Sequence, residues 1–198
     1  MDRGTTKWQQ GRSVLCLALG WGAAVGALFI TVSSGTAAAA ALQGRRQATL
    51  PVGLLVVAAT LTALSLQQLV ARFRLGRRRI FAGAAFAGAA GAALFAVACY
   101  VESFALMLVA AVPQGIAYGA ANQFRFVAVE VTLPEYKERA LAAVVGGAVS
   151  AAFIGPEASR HIRFRMQTAY LPAFLLACGL FLVQVCALCQ AFDTRLVA

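Results

Sequence analysis

Six long stretches of this chain hold no charged residue: 13–44, 47–71, 80–101, 103–124, 140–156 and 166–192. A bilayer core about 30 Å thick is crossed by roughly 17–25 helical residues, because backbone polar groups in hydrocarbon must pair within their own segment. Every stretch meets that length, the fifth barely. The expected fold is therefore an all-α integral membrane protein, a six-transmembrane-helix bundle with spans at about 14–36, 49–71, 80–101, 103–125, 140–156 and 168–190. Residues 1–13 would form a leader, 14–192 the membrane domain and 193–198 a tail. With 61% hydrophobic and 12% charged residues, the chain is too apolar to surround a soluble core with a polar surface.

The first stretch also admits a signal-peptide reading, since Arg3, Lys7 and Arg12 precede an apolar run that ends in small residues. A signal h-region is about 7–15 residues long, far shorter than this run, which favours a retained helix. Orientation follows from the basic residues of the short loops. With the amino terminus inside, one side carries eleven: Arg3, Lys7, Arg12, Arg72, Arg74, Arg77, Arg78, Arg79, Lys137, Arg139 and Arg195. The other side carries five: Arg45, Arg46, Arg160, Arg163 and Arg165. Both termini are thus expected in the cytoplasm, with the plasma membrane as the location.

The formal charge of +10 raises nucleic acid as a partner, but the basic residues sit in breaks between apolar runs and form no continuous stripe, so none is expected. Cys16, Cys99, Cys178, Cys186 and Cys189 all lie within apolar stretches. They read as small buried hydrophobes rather than a disulfide framework. Cys186 and Cys189 form a C-x-x-C pair without a second pair or a histidine nearby, so no metal is expected. His161 reads as a solvated loop histidine. There is no phosphate-binding glycine loop, no G-x-S-x-G elbow, no H-E-x-x-H and no pair of carboxylates within a span. Neither an enzyme nor a cofactor is expected.

Small residues recur at steps of four: Gly22 and Gly26; Ala84, Gly88 and Ala92; Gly115 and Gly119; Gly147, Ala151 and Gly155. Such faces let helices approach closely in lipid and predict a packed bundle. The fourth span carries a polar line at Gln114, Tyr118, Asn122 and Arg125, within about 80° of one another on a helix. Polar groups in a span face a bundle interior or an aqueous cavity. Gln114 falls about 15 Å from the start of its helix, near mid-depth, and is the leading candidate for substrate contact. Arg125 reads as an end anchor, as an anion-binding charge or as a partner of Glu130.

Between the second and third spans, Arg72-Phe73-Arg74-Leu75-Gly76-Arg77-Arg78-Arg79 resembles the cytoplasmic loop motif of the major facilitator superfamily, G-x-L-x-D-R-x-G-R-R. Arg74, Gly76, Arg77 and Arg78 match in register, whereas Phe73 stands at the aspartate and Leu69 at the first glycine. Val112-Pro113-Gln114-Gly115 is similar to the family's R-x-x-Q-G element, with Ala111 at the arginine. The stretch from Glu130 to Arg139 is similar to the acidic, proline-containing loop that follows. Gly146 and Gly155-Pro156 resemble a degenerate form of the family's glycine-proline helix break.

What the resemblance implies is the amino-terminal six-helix half of a secondary transporter, two inverted three-helix repeats moving a small solute by alternating access. It implies a gating loop at Arg74, Gly76, Arg77 and Arg78, an acidic loop bounded by Glu130 and Arg139, and a partner in the form of a carboxy-terminal six-helix half. A homodimer of six-helix units, forming a carrier or channel, and a membrane scaffold without transport are the alternatives. Half of the transporter would then lie outside the sequence.

Overall fold

The computed structural model describes residues 3–73, 76–162 and 170–193. Among these, all regular structure is helical, with no strand. Helix α1, Arg3–Ile30, passes through a π turn at Thr31–Gly35 into α2, Thr36–Gln43. The rod ends at Gly44, whose φ of +82° is the left-handed conformation that closes a helix without a Cβ clash. It runs past the expected limit near residue 36 because Thr36–Gln43 is mostly alanine, the strongest helix former, and nothing breaks it before Gly44. The π turn loosens backbone pairing, and hydroxyls cover the carbonyls around it. Thr31 donates to Ala27 O at 3.0 Å, Ser33 to Phe29 O at 2.8 Å and Thr36 to Val32 O at 2.7 Å.

Helix α3, Leu50–Phe73, begins with Pro51 where a helix needs no N–H donor. Helix α4, Arg77–Tyr100, starts at Gly76. A tight turn with Glu102 at φ +52° leads to α5, Phe104–Ala121, whose first turn is capped by Ser103 Oγ accepting from Leu106 N at 3.4 Å. The fourth span, expected to run unbroken to Arg125, is interrupted at Asn122-Gln123. There Gln123 N donates to Ala120 O at 3.1 Å, a tighter closure than the α pattern, and α6 restarts over Phe124–Glu130. A short 3-10 turn at Pro134–Tyr136 opens α7, Lys137–Ile162, and α8 covers Leu171–Asp193. Among the described residues five helical segments are long and apolar enough to cross a membrane, and α3 is apolar over Leu50–Leu66. That composition is compatible with a helical membrane bundle.

The helices alternate in direction. Ser13 Oγ near the start of α1 donates to Ala191 O near the end of α8 at 3.5 Å, and Arg77 at the start of α4 pairs with Glu130 at the end of α6. One end of the bundle therefore gathers the beginnings of α1, α4 and α7. Helix α1 packs on α7 and α8, α5 packs on α3 and α4, and α4 packs on α8. Glycines set the closest approaches. A Cβ on Gly22 would stand 3.0 Å from Gly147 O, and one on Gly155 would stand 2.8 Å from Gly26 O. On the other seam, Gly115 and Gly119 of α5 abut the carbonyls of Leu55 and Ala59 of α3. In lipid these approaches stabilise through dispersion between backbones, since burying Leu against Leu gains little over acyl chains. Two aromatic pairs fill the remaining space: Phe81 edge-on to Phe124 at 5.2 Å and Phe95 stacked on Phe174 at 5.0 Å.

Candidate functional site

Gln114 is 2% exposed, at the meeting of α5, α4 and the π turn of the first rod. Its backbone lies so close to Gly91 of α4 that a Cβ there would come within 2.9 Å of Gln114 N and Cγ. Thr31 Oγ1 donates to Gln114 Oε1 at 2.8 Å and shares its single hydrogen with Ala27 O. Gln114 Nε2 has no hydrogen-bond partner among the described residues. A buried amide donor left unmade costs about 1–3 kcal/mol. The arrangement is uncharged, and it presents two N–H bonds to any oxygen that reaches it.

Around this pair the interior holds further polar groups that the sequence reading did not single out. Ser34 Oγ and Ser159 Oγ, both buried, lie 2.7 Å apart and tie the π turn to α7. Gln184 of α8 is 1% exposed with Oε1 unpartnered, and Trp21 is buried with Nε1 unpartnered. Gln184 was open to the same argument as Gln114, a lone amide within an apolar span. Thr31 and Ser34 stood in the run Thr-Val-Ser-Ser-Gly, inside the expected first span of about 14–36. Ser159 lay past the expected end of its helix.

The four residues of the polar line do not share one environment. Gln114 is buried, Tyr118 and Asn122 are half-buried, and Arg125 is exposed on α6 beyond the interruption. The Arg125 guanidinium sits 4.9 Å from the centre of the Phe126 ring and 6.0 Å from that of Trp21. Glu130, offered as its partner, pairs with Arg77 instead. The loop residues and the acidic stretch thus meet at one end of the bundle, through an ion pair whose members are both exposed. Gly76 stands at the start of α4 and Arg78 is exposed beside it, while Arg74 lies outside the described residues.

Gly155 and Pro156, expected to break the fifth span, lie inside α7, which continues to Ile162. Proline removes one helical N–H and kinks rather than ends a span whose flanks are held by neighbours. Gly155 is seated on Gly26, and Ser159, one turn beyond, is bonded to Ser34. Arg139 is exposed in the first turn of α7. Among the described residues no three His, Cys, Asp or Glu side chains group as metal ligands. No family model matches the chain, and no curated protein matches it.

Proposed function

We propose that the chain is the amino-terminal six-helix half of a carrier that moves a small polar solute across a membrane by alternating access, with both termini in the cytoplasm. The observation that carries the reading is the buried Gln114 amide, held through its oxygen by Thr31 of a π turn and left with free N–H bonds. π turns interrupt helices frequently at functional sites, and a polar group at the depth of a span faces the bundle interior or a water-filled cavity. Architecture supports the same reading. Exchanging the first three spans for the last three turns the α1·α7 pairing into α5·α3 and α1·α8 into α5·α4, and it maps α4·α8 onto itself. Both exchanged seams are glycine seams. An inverted repeat has this property. A carboxy-terminal half, or a second copy, would supply the facing wall of the pathway.

Thermal unfolding of the purified chain against a panel of sugars, polyols and amino acids tests the site. A solute that stabilises the wild type and loses its effect on Gln114→Leu is the expected result. Stabilisation undiminished in Gln114→Leu, or none across the panel, overturns the Gln114 site. Counterflow by proteoliposomes holding this chain as a monomer overturns the half-carrier reading. Crosslinking in native membranes separates the two partners, a homodimer giving one product at twice the chain mass.

A further inference from the structure

At the end of the bundle where α1 and α7 begin, a pocket of about 390 Å³ opens between α1, the linker after α6 and the first turn of α7. That size lies within the usual range for small-ligand sites, about 300–1,000 Å³. Its wall is mostly apolar, with Val14 and Ala140 at the floor, and Gln10, Thr132, Tyr136 and Arg139 bring the few polar groups that reach it. Gln10 is 9% exposed, and its side chain lines the pocket. Thr132 is buried and donates its hydroxyl hydrogen to Ala128 O at 2.7 Å, which leaves its oxygen lone pairs free. Arg139 has no ion-pair partner among the described residues, and Glu130, a carboxylate of the same loop, is taken by Arg77. Glu135 and Glu138 are exposed and do not line the pocket.

Lys137, Glu138 and Arg139 all sit in the first turn of α7, which leaves it with a net positive charge. The amino end of a helix carries a partial positive charge, so cations there are unfavourable and an anion is favourable. A bound anion relieves that repulsion and engages the Arg139 guanidinium and the Gln10 amide together. Charge at this end is mainly positive, since Arg12, Arg77, Arg78, Arg79, Arg125, Lys137 and Arg139 outnumber Glu130, Glu135, Glu138 and Asp193.

We infer that this pocket binds a phosphate group. The Arg139 guanidinium forks onto two phosphate oxygens, the Gln10 amide donates to a third, and the start of α7 faces the remaining charge. The inference does not depend on the Gln114 site. A soluble phosphate ester and the headgroup of an anionic phospholipid carry the same chemistry, and both reach the end of a membrane bundle.

The test uses the full chain in nonionic detergent. Its thermal unfolding is followed against inorganic phosphate, with chloride holding ionic strength constant. Retention of phosphatidylglycerol against phosphatidylcholine is measured by native mass spectrometry. The expected result is a phosphate-dependent rise in Tm, or selective retention of phosphatidylglycerol, that is weakened about tenfold in Arg139→Gln. Gln10→Leu removes an amide that lines the pocket and should respond less to the ligand than the wild type does. Arg79→Gln makes the same charge change at the same end outside the pocket and should respond as the wild type does. A response to inorganic phosphate identifies a soluble phosphate as sufficient, and retention of phosphatidylglycerol alone identifies the lipid headgroup. The inference is overturned if neither probe binds, or if Arg79→Gln weakens binding as much as Arg139→Gln. Unfolding of Arg139→Gln moves the decision to Gln10→Leu, where an undiminished response overturns it.

Discussion

Among the polar contacts that join distant parts of this chain, two differ in almost every physical respect. Thr31 and Gln114 meet in the interior, uncharged, with one amide nitrogen left over. Arg77 and Glu130 meet at the end of the bundle, fully charged and both exposed. The lesson is about where a polar group gains or loses free energy. In the interior no water competes, so each unmade bond is felt in full. At the end, water and salt take most of the Coulomb attraction, and such a pair typically contributes about 0.2–1 kcal/mol.

That contrast can be broken deliberately. The largest effect is expected from Gly91→Val, which drives a side chain into the backbone of Gln114 and Ala110. Overpacking against backbone that cannot swing away should lower stability by about 3 kcal/mol, read from thermal unfolding in detergent. Next comes Ser159→Ala, which leaves the Ser34 hydroxyl buried without its partner and should cost about 1–3 kcal/mol. Gln114→Leu removes one hydrogen bond and one unmade donor together, so its stability should stay within about 1 kcal/mol of the wild type. A loss much beyond that would mean that the amide is a structural strut. The smallest effect should come from Arg77→Gln, under about 1 kcal/mol and vanishing at high salt. An Arg77→Gln loss that persists at high salt would erase the distinction between the two regions.

Much of the helical plan was legible in the sequence because hydrocarbon is an exacting solvent. It demands long uncharged runs, and those can be counted directly. The glycine spacings were legible for a related reason, since Gly22, Gly26, Gly147 and Gly155 fill the places where backbones touch. What escaped were features decided by a partner far away in the chain. Ser159 gains its role from Ser34, and neither residue advertises the other. Asn122-Gln123 broke a span that apolar flanks made look continuous, because two polar residues satisfied the backbone in a tighter turn. Pro156 misled in the opposite direction. A proline marks an end only when nothing beyond it is held, and here Ser159 is held.

Within the candidate site, Gln114 was found because an amide amid apolar residues stands out. Thr31 was missed because a lone threonine is readily accommodated within a membrane span, and its importance comes from the local change of helical pitch. The polar line was right as a pattern on an ideal cylinder. It did not form a common cavity, since the helix carrying it changes course before Arg125.

The π turn also fixes an angular relation along the first rod. An α-helix advances about 100° per residue, and the wider turn at Thr31–Gly35 accommodates one additional residue in its place. Everything downstream is therefore rotated relative to α1 by about one residue's worth of twist. Ala38 and Ala39 face the interior beside Phe95 and Phe174 on that basis. Tightening the turn back to α geometry would swing both alanines off that wall. It would also withdraw Thr31 from Gln114 in the same movement, so the rod behaves as a screw whose thread is set at the polar pair.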